Sequence, residues 1–561
     1  MIYRHFKHET WLYVLVLLIA VSVRTIQLGA MPLSDSEAAP ALQALQITQG
    51  QRPLLSPHPF YILSTAVLFF LYGEGTNFLA RFSPALIGSL LVLIPLLFTE
   101  RIKPRPGLIL ALFIALDPGM VALSRQAASP IFAITFLLFA IGFYENNNLK
   151  LAGIFAALAL LGGPSIWLGL LSIGIAWAIY RGVQLRGSEE QASVNVKEAL
   201  WPFVVTLIVA GTFFFLIPNG LSAAFSSIPE FFKRWTIASD FPASRFLIAL
   251  AVYQPLGILL AVIALIRGWQ HGSRRIISLS LWFIVALMLA IFIPSREIAD
   301  ISWALIPLWG LAALELIRNL HIFPEERNEI FGVVFLTAFI WVFAWLDFSG
   351  MVWLPNTTRE YMMRFWLLVG ALLLIAISLL LVAAGWSIRT ARIGGVLGMA
   401  LVLGALGLGG TFGAAGLRGL DNPEIWWQAP LPVQAQLIQA SVNDLSEWGT
   451  GNDNMAPVII AGLDSPALEW ALREHQVEVV ETLDISSAPY FVITPLQNDP
   501  AFASTYRGQD FTWRKTFLWN ETLPQDWIRW VTLREVPQTG ESIILWARDD
   551  LFLDKANQSI P

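Results

Sequence analysis

"TWLYVLVLLIAVSVRTIQLGAMPLSDSEAAPALQ", Thr10 to Gln43, is apolar for about twenty residues and then turns polar. A hydrocarbon core of about 30 Å takes about 20 helical residues, so the first part is long enough to cross a bilayer. The second part sets two carboxylates, Asp35 and Glu37, where the chain would leave it. The fold depends on whether this alternation of apolar run and polar loop is repeated.

It is repeated along most of the chain. Of 561 residues, 56% are hydrophobic and 13% charged, and the mean hydropathy of +0.63 lies outside the soluble globular classes. About thirteen runs qualify as spans, near 10–29, 81–99, 106–123, 130–144, 149–163, 165–181, 200–217, 246–266, 276–293, 301–317, 330–347, 364–385 and 393–413. Basic residues collect between alternate runs: Arg4 and Lys7, then "RIKPRPG", "RGVQLRGSEEQ", "RGWQHGSRR", "RNLHIFPEER" and "WSIRTAR". The positive-inside rule assigns all of them to the cytoplasm. An odd number of crossings then puts the tail outside with the Asp35 loop, and the expected location is the plasma (cytoplasmic) membrane with a cytoplasmic N-terminus. "FYILSTAVLFFLYG", Phe60 to Gly73, is short for a span and is expected to lie in or dip into the outer interface. The first run shows no small-residue cleavage pattern and reads as a helix that stays in place.

The texture changes after about Leu417. Residues 1–416 read as the multi-pass membrane part, and 417–561 as an extracytoplasmic soluble α/β domain large enough for its own core. "PVIIAGL", "VEVVETL" and "PYFVITP" read as strands, and "SPALEWALREH" as a helix opened by Ser465 with Pro466 in its first turn. "FTWRKTFLW", "WIRWVTLREV" and "SIILWARDD" read as further antiparallel strands. The fold class is therefore a polytopic α-helical membrane protein with a C-terminal soluble α/β domain.

Several functions drop out on composition. Zero cysteines exclude disulfides, thiolate metal sites and a cysteine nucleophile. A net charge of -5 argues against a nucleic-acid partner, while 23 tryptophans suit membrane interfaces. The sequence shows no Gly-rich phosphate loop, paired-histidine metal motif or serine-nucleophile elbow, so no cofactor and no metal are expected. Membrane lipid and sugar are the expected partner classes.

The loop from Ala30 to about Ala80 concentrates the chemistry. "SDSE" fits a capping box, with Ser34 opening a helix and Glu37 reaching back to it. Ala38, Ala41, Leu42 and Leu45 then form one apolar face, which suggests an amphipathic helix resting on the membrane. The same carboxylates also suit glycosyl transfer from a lipid-linked donor, where a base removes the acceptor proton as the hydroxyl attacks the anomeric carbon. Cations would steady the departing polyprenyl phosphate, and His58, Arg81, Arg125 and Arg296 fall on the expected outer face. Each arginine taken singly reads first as a snorkelling or helix-end residue, and the four cations together carry the functional reading.

"LSDSEAAPALQALQITQGQRPLLSPHPFYILSTAVLFFLYGEGTNFLARFSPALIGSLLVLIPLLF" resembles the opening of the GT-C superfamily of multi-pass glycosyltransferases. The protein O-mannosyltransferase and aminoarabinose-transferase branch, with the flippase-activity-associated group, is nearest in pattern. An acidic pair follows the first helix, Gly50 precedes an extended segment, and "HPFY" leads to "YGEGTNFLARFSPALIG". "LDPGMVALSRQAASP" and "SREIADISWALIPLWGLAAL" look like later family segments, and the likeness covers most of residues 10 to 320. It implies an inverting hexosyl or pentosyl transferase with a polyprenyl-phosphate sugar donor and a glycan, lipid or protein acceptor. Asp35 and Glu37 would be catalytic, and His58, Arg81, Arg125 and Arg296 would bind the donor phosphate. The departures are specific. The family acids are adjacent, whereas Ser36 separates this pair, so keeping Glu37-Ala38 in register puts Ser36 at the usual base position. The family's phosphate lysine falls on His58, and a second acid that binds metal in some members falls near Ser129, which argues against metal dependence. The alternative is a noncatalytic GT-C-like scaffold that assists export or flipping of lipid-linked glycan.

Overall fold

The computed structural model describes residues 2–102, 104–184, 197–419, 422–484, 488–496 and 501–552. Lys103 and the basic stretch that follows Gln184 lie outside the described residues. Each expected apolar run carries helix, beginning with α1 (Ile2–Thr25). Among the described residues, 7 helices are long and apolar enough to cross a membrane, or up to 9 if each of two bent pairs counts as one span. This is fewer than the thirteen or so expected, because an apolar run need not be one long straight helix. Ile131–Glu145 and Leu149–Leu161 are apolar but short.

The two bent pairs explain how a span can break inside hydrocarbon. Pro104–Leu116 and Pro118–Ser124 meet at 57°, and Ser244–Tyr253 and Pro255–Gln270 at 100°. A proline begins the second half of each, where its missing N–H and its ring end the preceding ladder. The freed carbonyls are then satisfied from elsewhere. Arg24 donates to Ala115 O (3.0 Å) and Ile114 O (3.2 Å), and the Thr411 hydroxyl donates to Leu116 O. Asp117 caps the second half through Met120 N (2.7 Å), while Gln254 at the other break and Trp309 both donate to its Oδ1. Leaving such groups unpaired would cost several kcal/mol each in lipid.

After α1 come α2 (Asp35–Thr48), α3 (Pro59–Tyr72) and α4 (Asn77–Leu90). α3 has 14 residues and spans roughly 21 Å, too little for the bilayer core. Gly73, at φ +88°, stops it in the left-handed conformation that glycine adopts without steric cost. α2 does not rest openly on a membrane. Its Ala38, Ala41 and Ala44 are buried, because the helix is packed between α3 and the helix Pro466–Ala471 of the tail.

The tail carries a 6-stranded sheet in the order β1-β5-β6-β4-β2-β3. Its strands are β1 (Leu431–Pro432), β2 (Val458–Ala461), β3 (Val477–Val480), β4 (Phe491–Pro495), β5 (Tyr506–Phe517) and β6 (Gln538–Arg548). β2 runs parallel to β3 and β4, and the other pairings are antiparallel. One expected strand is a helix instead: "WIRWVTLREV" belongs largely to Pro524–Leu533. Pro524 stands at its start, and Trp527, Trp530 and Val531 fall at i, i+3 and i+4, a helical period that outweighs β propensity. Trp530 is buried and donates to Pro423 O (2.8 Å).

The sheet region seats on one end of the helical bundle, the sheet end. Trp470 Nε1 donates to Asn77 Oδ1 (2.7 Å), and Arg473 Nε donates to Gly75 O (2.7 Å).

Candidate functional site

The capping motif "SDSE" folds as its spacing implies. Ser34 N donates to Glu37 Oε2 (3.1 Å) at the start of α2. Glu37 does more than cap, because its side chain is only 5% exposed and meets Arg81, which is 1% exposed. Arg81 Nε donates to Glu37 Oε1 (2.9 Å) and Nη2 to Oε2 (2.7 Å), a two-point pairing of fork and carboxylate. Arg81 also donates to Met31 O (2.6 Å) and Pro32 O (2.9 Å), and Ala127 N donates to Glu37 Oε1 (3.0 Å). Burial works to raise the Glu37 carboxyl. The charge and hydrogen bonds of Arg81, with the backbone N–H groups of Ala127 and Ser34, nevertheless hold it below the usual carboxylate range. Glu37 thus joins the first loop, α4 and the loop after Arg125.

Asp35, two residues earlier, faces the tail. Its Oδ1 accepts from Ser465 Oγ (2.8 Å) and Ala467 N (3.0 Å), and its Oδ2 pairs with Arg514 Nη2 (2.5 Å). Ser465 in turn accepts from Trp513 Nε1 (3.2 Å). Asp35 therefore caps the helix Pro466–Ala471 from across the junction. A carboxylate offers about four acceptor positions, and the three bonds leave one on Oδ2. The side chain remains 29% exposed.

The four expected cations fall in three settings. Arg81 and Arg125 share a narrow cleft with Gln27, Leu28, Met31, Ala415 and Trp427. Arg125 spends its guanidinium on the carbonyls of Val23, Arg24, Ile26 and Gln27 at the end of α1. His58 precedes α3 and lies against Gly163, whose φ of +112° and lack of Cβ leave room for the imidazole. Burial pushes His58 down to about 4, so the ring is neutral at pH 7. Arg296 is half-buried and donates to Ile293 O (3.1 Å). Nearby Asp300 is taken by Arg234 (2.6 Å) and by Glu297 N (2.9 Å).

Some of the junction was out of reach of local reasoning. Arg514 and Ser465 come from the far end of the chain and carry no motif. Glu424 is a second buried carboxylate at the junction, which accepts from the Tyr253 hydroxyl and lies 3.6 Å from Arg534. Asp117 had a visible signal, an Asp-Pro pair inside an apolar run, which marks a helix start.

Neither a protein-family model nor a curated protein sequence matches the chain. Solved structures do. The chain is similar to ArnT from Cupriavidus metallidurans bound to undecaprenyl phosphate, at 15% identity and a TM-score of 0.54, over 96% of this chain and 98% of that one. The same protein in the apo state gives 16% identity and a TM-score of 0.51, over 86% and 92%. At such identity the likeness speaks to architecture. The chain has the fold of ArnT across the helical bundle and the sheet region together.

Proposed function

We propose that this protein is an integral-membrane glycosyltransferase that takes a sugar from a polyprenyl-phosphate donor and passes it, with inversion, to an acceptor at the sheet end. The observation that carries the reading is the likeness, over almost the whole chain, to a protein solved with undecaprenyl phosphate. We assign the sheet end to the outer face on the charge pattern of the loops. In this reading residues 1–416 form the membrane unit and 417–561 the extracytoplasmic unit.

Asp35 is the proposed base. It is the member of the acidic pair with a free acceptor position and partial exposure, and in-line attack needs a carboxylate beside the membrane surface. Glu37 acts through Arg81 by fixing the start of α2. His58 and Arg296 are the proposed direct phosphate contacts. Arg81 and Arg125, whose donors already serve backbone carbonyls and Glu37, set the shape of the loop. A neutral imidazole contributes a hydrogen bond to phosphate and no net charge.

The three bonds from the tail to Asp35 favour a second reading, the noncatalytic scaffold, in which Asp35 only anchors the sheet region. A panel of polyprenyl-phosphate sugars offered to purified protein in vesicles separates the two. The transferase reading expects acceptor-dependent loss of sugar from at least one donor. Donor binding without transfer across the panel would establish the scaffold.

A further inference from the structure

The helix Lys197–Gly211 ends in an unusual turn. Phe213, Phe214 and Phe215 take φ values of 47°, 53° and 68°, a left-handed run that costs bulky L-residues roughly 1–2 kcal/mol each. Packing in the protein interior does not offset this, since Phe214, Phe215 and Leu216 are 69%, 69% and 65% exposed.

Each backbone N–H of the turn still has an acceptor within the segment. Thr212 N reaches Ile208 O (2.9 Å), Phe213 N reaches Ala210 O (3.3 Å), and Phe214 N reaches Val209 O (2.8 Å). Phe215 N donates to the Thr212 hydroxyl (3.0 Å), Leu216 N to Phe213 O (3.1 Å), and Ile217 N to Thr212 O (2.9 Å). An exposed turn in water needs no such closure, because water supplies the partners. Hydrocarbon supplies none.

The position along the chain agrees. The described part of the helix, Lys197–Gly211, covers 15 residues, a rise of roughly 22 Å, so a turn directly after it lies within the reach of a hydrocarbon core of about 30 Å. Its exposed Leu200, Trp201, Val204, Val205 and Ile208 continue directly into the phenylalanine turn. The next helix, Asn219–Lys233, buries Gly220, Ala223, Ala224 and Ser227 and turns Phe225 and Phe232 outward. Arg234 just beyond it donates to Ser295 O (2.8 Å), in the loop whose Ile298 N donates to Gln428 Oε1 of the tail (3.5 Å), and this ties the ledge to the sheet end.

We propose that the turn Phe213–Leu216 and the outer face of Asn219–Lys233 form a lipid-immersed ledge, seated among the acyl chains of the leaflet at the sheet end. The partner is the bilayer itself, as continuity with the apolar face of Lys197–Gly211 requires. The chain has no cysteine, so single-cysteine variants Phe215→Cys and Phe232→Cys can each carry a fluorophore in phosphatidylcholine–phosphatidylglycerol vesicles. Exposed Gln509 on β5, as Gln509→Cys, is the aqueous reference. Lipid with a nitroxide on the acyl chain should quench both ledge sites by about half, with iodide nearly without effect, and Gln509 should show the reverse. Iodide quenching at both ledge sites without nitroxide quenching would overturn the proposal.

Discussion

Asp35 and Glu37 are two residues apart, and each pairs with an arginine, yet they occupy opposite physical regimes. Glu37 meets Arg81 in the interior, where both side chains are nearly inaccessible and backbone groups and the Ser34 hydroxyl add further hydrogen bonds. Asp35 meets Arg514 at the rim, partly exposed, across a junction between regions remote in sequence. A buried pair is expensive to break because each partner is left as an uncompensated charge, whereas a rim pair is screened and can exchange its partner for water or substrate. One carboxylate is suited to holding the loop, the other to changing its bonds.

The largest expected effect tests the interior pair. Glu37→Ala or Arg81→Ala should lower stability by about 3–5 kcal/mol, the usual consequence of stranding a buried charge. Glu37→Gln, which a capping box alone would tolerate, should also be strongly destabilising, because Gln keeps the cap and loses the charge opposite Arg81. Thermal unfolding in detergent checks both. A mild Glu37→Gln would erase the contrast between the two carboxylates.

At the rim a smaller change is expected. Asp35→Ala should cost about 1 kcal/mol, comparable to loss of an exposed helix cap. Its signature is local: faster hydrogen exchange in Pro466–Ala471, with the rest of the sheet unchanged. Exchange that rises equally throughout the sheet would mean that Asp35 supports the tail globally.

At neutral pH the smallest effect is that of His58, whose contribution shows only on acidification. His58 is held at about 4 in the folded protein against an ordinary 6.5, so as pH falls the unfolded chain takes up the proton first. The contribution is fully present above pH 6.5 and is lost as pH falls toward 4. Melting temperatures of wild type and His58→Gln should therefore keep a constant offset above pH 7 and converge or cross between pH 6.5 and 4. An offset independent of pH in that window would show that the ring is not constrained by burial.

Legibility in the sequence followed the range of each interaction. The Ser34–Glu37 cap spans three residues and is visible in "SDSE". The strands "PVIIAGL" and "PYFVITP" are visible because both are short apolar runs bounded by turn residues, as expected of buried parallel strands. The span counted over 106–123 hid a break at Asp117-Pro118, although the dipeptide itself signals one. "WIRWVTLREV" was misleading because tryptophan and valine favour strands by composition, while their spacing favours a helix. Arg514 could not be found at all from sequence. Nothing local to β5 shows that folding brings it to Asp35, and the packing that does so comes from the tail as a whole.

The transferase account rests most directly on Asp35. Asn at this position can still accept from Ser465 and Ala467, so the junction should remain docked while the base is removed. In purified protein turning over its best polyprenyl-phosphate donor, Asp35→Asn is predicted to keep its thermal stability and lower turnover by roughly 100-fold or more. Wild-type turnover in Asp35→Asn would contradict the account, leaving Asp35 as an anchor for the tail and moving the base to another carboxylate at the sheet end.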